Sequence, residues 1–221
     1  MEYYNLSSNI IACDNFLPQQ KVDELYIDFL NNRKYFSTPA WSTTNNENTK
    51  EFYSSKCGGF DFWISWNKFE LECPAIYSLG GWFIHQGLMA YAEKNNLPIF
   101  SFLKRNLEYD IHTICYNNNG YYNWHQDISS GSIFTFNLIL NKGNKLNGGD
   151  ILFKVAIPSG STGNALNSAN DSAIRIHGDD AHVEIFPSFI HHAIIPLKSK
   201  DNKDVDFTSQ RFSVQFWVRL S

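Results

Sequence analysis

The sequence predicts a mainly β fold of the antiparallel sandwich or barrel type, with helices confined to its N-terminal part. From about residue 107 onward, short runs of β-branched and aromatic residues alternate with Gly, Asn and Pro turns, a pattern typical of such sandwiches and barrels. Before that point, apolar residues recur at helical spacing. A length of 221 residues suits one domain. We therefore expect a single domain over 1–221, with a helix-rich support at about 1–106 and a β core at about 107–221.

The N-terminal part predicts one short strand and two helices. The strand is expected over 9–15, and a helix that covers a sheet is expected over 19–31, where apolar residues recur near helical spacing. A second apolar stripe predicts a helix over 82–95. Between the helices, segment 34–67 is rich in Ser, Thr, Asn and aromatic residues, which indicates loops with an edge strand at 60–66.

The β core ends in a strand with two different faces. Seven short strands are predicted in this core, namely 109–116, 132–140, 150–157, 173–176, 182–186, 193–197 and 211–220. In the last strand, one face carries Arg211, Ser213, Gln215, Trp217 and Arg219, and the other carries Phe212, Val214, Phe216, Val218 and Leu220. We expect the polar face to border a ligand cavity and the apolar face to pack on helices.

Composition argues against a nucleic-acid or membrane partner. The formal net charge of -4 gives no basic field for a polyanion. No apolar run is long enough to span a bilayer, and the N-terminus carries no secretory pattern. The cysteines, Cys13, Cys57, Cys73 and Cys115, are widely spaced, which favours free thiols over a disulfide framework. We therefore expect a protein of the reducing cytoplasm.

One short motif predicts a metal site. His125 and Asp127 are two residues apart, so on a strand they project from the same face and can bind one ion together. A third ligand is available downstream from His191 or His192, which as neighbours point to opposite faces. The spacing from Pro187-Ser188 favours His192 and leaves His191 pointing outward. Two histidines and one carboxylate leave other metal positions open, which suits non-haem Fe(II).

Four motifs in order carry a family resemblance. They are Tyr116 with Tyr121-Tyr122-Asn123-Trp124-His125-Gln126-Asp127, then Gly148-Gly149-Asp150, then Phe186-Pro187-Ser188 before His192, and finally Arg211-Phe212-Ser213. This series resembles the Fe(II)/2-oxoglutarate-dependent dioxygenases, and within them the prolyl 4-hydroxylase-like branch. The resemblance covers roughly 11–220. It implies a double-stranded β-helix, which is a jelly-roll of two antiparallel sheets, with N-terminal helices packed on one sheet.

The resemblance also implies the cofactors and their binding residues. Fe(II) would be held by His125, Asp127 and His192, with 2-oxoglutarate and O2 as cosubstrates and ascorbate as a supporting reductant. The guanidinium of Arg211 suits the far carboxylate of 2-oxoglutarate, because it offers two parallel charge-assisted hydrogen bonds. Ser213 and Tyr116 are candidate hydroxyl donors to the same group, and Tyr116 is alternatively a core residue. Asn137 either helps to bind the cosubstrate or substrate or makes a structural hydrogen bond.

The implied reaction is hydroxylation of proline in a peptide or protein, with release of succinate and CO2. A free amino acid or another small molecule is the nearest substrate alternative. Demethylation of a nucleic-acid base is disfavoured, because Trp217 stands near the position of that branch's second arginine. A non-catalytic metal-binding module is disfavoured by the complete ligand set. Candidate substrate contacts are Trp217, Trp124 and Tyr122, although both tryptophans also suit a packing role.

The sequence departs from the family pattern at several positions. Asn119 stands at the family's glycine, with Gly120 one place later, and asparagine tolerates a positive φ better than most residues. Ile139 replaces a tyrosine found in some prolyl hydroxylases. The connections 158–182 and 198–210 are inserted relative to the compact pattern, and such loops often act as lids or substrate contacts. Segment 177–182 contains two histidines and two aspartates, and it favours a solvated turn over a second metal site.

Overall fold

The computed structural model of the protein describes residues 3–7, 10–37, 60–62, 70–83, 107–128, 131–142, 145–154 and 173–220. Most of the helix predicted at 82–95 lies outside these residues, as do most of segment 34–67 and the first half of the connection 158–182. The described helices are α1 (Gln19–Asn31) and α2 (Pro74–Trp82). No helix among the described residues has both the length and the apolar character needed to cross a membrane.

The described strands run from β1 to β14 in chain order. They are β1 (Tyr3–Ser7), β2 (Ile10–Cys13), β3 (Phe36–Ser37), β4 (Phe60–Phe62), β5 (Leu107–Tyr116), β6 (Tyr122–His125), β7 (Phe134–Leu140), β8 (Leu146–Gly148), β9 (Ile151–Lys154), β10 (Ala173–Ile176), β11 (His182–Pro187), β12 (His192–Ile194), β13 (Leu197–Ser199) and β14 (Arg211–Leu220).

Two antiparallel sheets form the body of the protein. The large sheet has the order β1-β2-β11-β7-β14-β5-β4-β3, and the small sheet has the order β10-β9-β12-β6. A buried apolar cluster lies between them and takes Ile114 and Ile139 from the large sheet and Phe153 and Ile194 from the small one. Two sheets packed face to face make this a jelly-roll, as the resemblance implied. The predicted fold class, mainly β with N-terminal helices, is confirmed.

The outer face of the large sheet packs on the helices. Phe212 in β14 stacks on Phe29 in α1, with ring centroids 4.4 Å apart, and Phe216 contacts the ring of Phe83 just beyond α2. The predicted apolar back of β14 is therefore buried against helices. Its polar front faces the small sheet, because the period of two along a strand sends alternate side chains to opposite faces.

Several elements differ from the sequence predictions for physical reasons. The predicted strand 193–197 is divided into β12 and β13, because Pro196 between them has no N–H for a ladder. Helix α2 was not predicted, since its first amides are capped from far along the chain: Asp28 accepts hydrogen bonds from Ala75 N and Ile76 N, at 2.8 and 3.0 Å.

Asn119 adopts a φ of 65°, so the expected left-handed turn is confirmed.

Candidate metal and cosubstrate site

Two neighbouring strands of the small sheet bring three ligating side chains together. His192 in β12 lies directly opposite His125 in β6, and Asp127 follows two residues after His125. Asp127 Oδ1 lies 3.6 Å from His125 Nε2, and Asp127 Oδ2 lies 3.4 Å from His192 Nε2. All three side chains are buried, and their ligating atoms lie within 4.8 Å of one another. Among the described residues this is the one such group with metal-binding geometry.

Both histidine rings are oriented by main-chain carbonyls. His125 Nδ1 lies 2.7 Å from Asn123 O, and His192 Nδ1 lies 3.0 Å from Ile190 O. A carbonyl oxygen only accepts, so each Nδ1 carries the hydrogen and each Nε2 carries the lone pair. His192 Nε2 is buried and has no hydrogen-bond partner among the described residues. The donor set, two imidazole nitrogens and a carboxylate, therefore fits a divalent metal such as Fe(II).

Asp127 is held by the Thr135 hydroxyl of β7 and by the main-chain carbonyl of Ser188, just after β11. Thr135 Oγ1 donates to Asp127 Oδ2 at 3.0 Å and lies 3.1 Å from Ser188 Oγ. The main-chain N–H of Asp127 also donates to Ser188 O at 2.9 Å. Such partners orient a ligating carboxylate. This role of Thr135 and Ser188 was not predicted from the sequence, although a period of two along β7 puts Thr135 on the same face as Asn137.

His191 lies outside this cluster. It is half-buried, and its main-chain carbonyl accepts a hydrogen bond from Lys154 N at 2.9 Å. Burial lowers the pKa of its imidazole, and the nearby Lys154 and His192 add to the effect. Of the two histidines left open by the sequence, the structure brings His192 to His125 and Asp127.

Arg211 is a buried cation with unused donors. It is 1% exposed, and its Nη1 donates to Gly149 O at 2.6 Å. Its Nε and Nη2 atoms are buried and have no hydrogen-bond partner among the described residues. Burial lowers the pKa of the guanidinium, and Tyr116, Glu184 and Asp150 oppose that shift. Because leaving a buried charge unpaired is costly, this arrangement fits the carboxylate of an anionic ligand.

The other candidate cosubstrate residues surround Arg211. Tyr116 lies directly opposite Arg211 in the β5–β14 pair, is fully buried and belongs to the cluster between the sheets. The Ser213 hydroxyl donates to Asn137 Oδ1, and Asn137 Nδ2 donates to Glu184 Oε2 at 2.9 Å. Asn137 therefore makes a structural hydrogen bond, one of its two predicted roles. Contacts of Tyr116, Ser213 and Asn137 with a cosubstrate stay predictions.

The three candidate substrate contacts differ in exposure. Tyr122 is buried, and its ring centroid lies 3.7 Å from that of His125, so it packs directly on this imidazole. Trp124 and Trp217 are half-buried. Trp217 packs on His112 at 4.8 Å between ring centroids, and its indole N–H is buried without a partner among the described residues.

The two histidines of segment 177–182 lie in different environments. His177 is largely exposed, and its Nδ1 lies 2.6 Å from Asp150 Oδ1. His182 is fully buried, and its two ring nitrogens face Asp14 and Glu184. They do not share a site, and a chain turn at 180–181 lies between them, as the turn interpretation expected.

The inserted connection 198–210 packs against the core. It contains a 3-10 turn (Phe207–Ser209), and the ring of Phe207 contacts Phe36 and Phe212 at 5.3 Å each. This end of the connection therefore has a packing role.

Comparisons with known proteins agree with this architecture. No protein-family model and no curated protein matches the chain. The chain is similar to a solved prolyl-4-hydroxylase of Pseudomonas putida, with 17% identity, a TM-score of 0.58, and coverage of 96% of this chain and 93% of that one. It is also similar to a prolyl hydroxylase of Trichoplax adhaerens in complex with a hypoxia inducible factor peptide fragment, with 16% identity, a TM-score of 0.59, and coverage of 96% and 84%.

A third similar structure is a prolyl 4-hydroxylase of Phytophthora capsici. It has 14% identity and a TM-score of 0.54, over 97% of this chain and 59% of that one. At these identities the likeness establishes the fold. The chain therefore has the jelly-roll fold of prolyl 4-hydroxylases, as its sequence motifs indicated.

Proposed function

We propose that this protein is an Fe(II)- and 2-oxoglutarate-dependent dioxygenase that hydroxylates proline in a peptide or protein and releases succinate and CO2. The observation that carries the proposal is a buried His-Asp-His cluster in the same jelly-roll as a buried arginine with unused donors. We also propose that 1–221 is one domain and that the protein acts in the reducing cytoplasm.

The metal-binding residues are His125, Asp127 and His192. Their Nε2 and carboxylate atoms converge, and the backbone carbonyls and Thr135 orient them. Three protein ligands on one face leave positions for a cosubstrate and for O2. Fe(II), when bound, supplies the O2 activation, and the protein supplies orientation and exclusion of water.

Arg211 is the proposed anchor of 2-oxoglutarate. Its unused Nε and Nη2 donors lie on one edge of the guanidinium, which matches the two oxygens of a carboxylate. Nη1 donates to Gly149 O, and this hydrogen bond orients the guanidinium. Apolar side chains from both sheets, including Ile139 and Ile194, line the interior between the sheets and strengthen this interaction by excluding water.

Proline in a peptide or protein is proposed as the substrate because it is the target that the sequence motifs imply. One similar solved structure holds a peptide fragment, which makes a peptide a reasonable first probe. Half-buried Trp124 and Trp217 are the proposed substrate contacts, whereas buried Tyr122 acts through His125.

The test is turnover by purified protein with Fe(II), 2-oxoglutarate and ascorbate over a library of proline-containing peptides. Succinate release and the gain of one oxygen atom by a peptide, both lost in Asp127→Ala, are the expected results. Turnover of free proline or of a methylated oligonucleotide, without peptide turnover, would reassign the substrate. Metal binding without turnover of any of these would support the non-catalytic alternative.

A further inference from the structure

Glu184 is a fully buried carboxylate in the large sheet. It is 0% exposed and lies in β11, all of whose residues are buried. In the sheet it lies directly opposite Asn137 of β7. A buried carboxylate is costly unless hydrogen bonds and an opposite charge compensate it, so its partners indicate why it is there.

On one side, Glu184 connects to the strand of the proposed cosubstrate anchor. Its Oε2 accepts a hydrogen bond from Asn137 Nδ2 at 2.9 Å, and Asn137 Oδ1 accepts one from the Ser213 hydroxyl. A carboxylate only accepts, so it determines which end of the Asn137 amide faces it. The amide oxygen must then face Ser213 and takes up its hydroxyl hydrogen. Ser213 is two residues from Arg211 on the same face of β14.

On the other side, Glu184 connects to a buried histidine. His182 Nε2 lies 3.3 Å from Glu184 Oε1, and His182 Nδ1 lies 2.5 Å from Asp14 Oδ1. Desolvation disfavours the charged imidazole, but the Glu184 and Asp14 carboxylates outweigh it and raise the pKa of His182 to about 9. Near neutral pH, the imidazolium therefore neutralises the charge of Glu184.

We propose that Glu184 and His182 are positioning residues of the cosubstrate pocket, and that they set its affinity for a dicarboxylate in opposite directions. Glu184 orients Asn137, withdraws the Ser213 hydroxyl hydrogen from the ligand and adds a negative charge near Arg211. His182 cancels that charge and keeps the pocket attractive to an anion. This inference rests on the proposed function, because it requires a dicarboxylate at Arg211.

The charge of Glu184 and its effect on the Ser213 hydroxyl both weaken dicarboxylate binding. A second carboxylate near the bound ligand repels it, and the repulsion is strong in a buried site. A Ser213 hydroxyl that donates to Asn137 presents lone pairs to the ligand. Replacing Glu184 with glutamine removes the charge and lets the Asn137 amide turn, which releases the Ser213 hydrogen. The glutamine variant is therefore expected to bind a dicarboxylate more tightly than the wild type.

The experiment titrates 2-oxoglutarate into Zn(II)-loaded full-length protein by calorimetry, so that no turnover is needed. Glu184→Gln is expected to lower the Kd about threefold or more, and His182→Gln to raise it about tenfold, because it leaves Glu184 uncompensated. The double variant is expected to return to within about threefold of the wild type. Asp23→Asn, which removes an exposed carboxylate on α1, is the matched charge control and should leave the Kd unchanged.

The Kd values of the two single variants and the double variant distinguish a positioning role from a purely structural one. A structural network would weaken binding in both single variants, in parallel with a loss of thermal stability, and that result would overturn the inference. Failure of the double variant to recover would also overturn it. If His182→Gln does not fold, Glu184→Gln alone decides, because equal or weaker binding contradicts the proposal. Absence of 2-oxoglutarate binding by the wild type removes the proposed function and this inference with it.

Discussion

His192 and His125 lie directly opposite each other in the antiparallel pair of β12 and β6, with ring centroids 4.1 Å apart. His191, one residue earlier, lies outside the ligand cluster because neighbouring residues point to opposite faces. His192→Ala is therefore expected to abolish Fe(II) or Co(II) binding, and His191→Ala to retain it. Metal titration followed by absorbance measures both. Retained binding in His192→Ala together with loss in His191→Ala would reverse the assignment.

Thr135 orients the proposed carboxylate ligand. Replacing it with isosteric valine removes the hydroxyl that donates to Asp127 Oδ2, and loss of such a partner typically lowers metal affinity about 10- to 100-fold. We expect Thr135→Val to fall in this range when Co(II) affinity is measured by competition with a chelator. Thr113→Val is the matched control, because Thr113 is also buried but lies outside the ligand cluster. An equal loss in both variants would show a general packing effect.

Arg211→Lys is expected to weaken 2-oxoglutarate binding by about 1.5–3 kcal/mol, because an ammonium cannot reproduce the two parallel hydrogen bonds of a guanidinium. Arg219→Lys serves as the control on the same strand, since Arg219 pairs with Glu108 and Asp110 near the surface. The Kd and the KM for 2-oxoglutarate measure the effect. An unchanged KM in Arg211→Lys would contradict the anchor assignment.

Gly149 leaves room for the Arg211 side chain. Its φ is +69°, and a Cβ added there would lie 2.6 Å from Arg211 Nη1 and 2.9 Å from Leu197 Cγ. Gly131 has a similar φ of +74° but nothing within 4 Å of an added Cβ. Gly131→Ala should therefore lower the free energy of unfolding by about 1 kcal/mol, from left-handed backbone strain alone. Gly149→Ala should lower it by more and should also weaken 2-oxoglutarate binding. Urea denaturation and calorimetry test this, and equal losses of stability would contradict it.

The charge of His182 predicts a pH dependence of stability. Its pKa is raised from 6.5 to about 9 in the folded state, so the folded protein holds this proton more tightly than the unfolded chain. The resulting stabilisation is complete below about pH 6.5 and is lost as the pH rises through about 9. We expect the free energy of unfolding to fall by on the order of 2–3 kcal/mol over this window.

Urea denaturation at several pH values measures this change. His182→Gln should flatten the dependence, and His177→Gln, which alters a largely exposed histidine, should not. A wild-type protein whose stability does not change between about pH 6.5 and 9 would contradict the predicted role of His182.

The fold was predictable wherever local periodicity and tertiary burial agree. Helix α1 was predicted with its observed bounds, Gln19–Asn31, and so was β14, Arg211–Leu220, with both faces assigned. Both elements bury a continuous apolar face, so their sequence patterns are strong. Helix α2 is stabilised at its N-terminus by Asp28, and the short β8 pairs with β13. These depend on contacts between distant residues, which periodicity does not record.

By itself, the sequence determined His125, Asp127 and Arg211 as candidate site residues and narrowed the third ligand to His191 or His192, because the order and spacing of these residues are properties of the chain. Only the tertiary structure decided which side chains support them. Thr135 of the large sheet reaches Asp127 beside the small sheet, and Glu184 reaches Asn137 across the β11–β7 strand pair. The same is true of Arg211. Folding buries its guanidinium and pairs Nη1 with Gly149 O, and it leaves Nε and Nη2 without a hydrogen-bond partner among the described residues. Hydrogen bonds and burial between distant strands are properties of the folded chain.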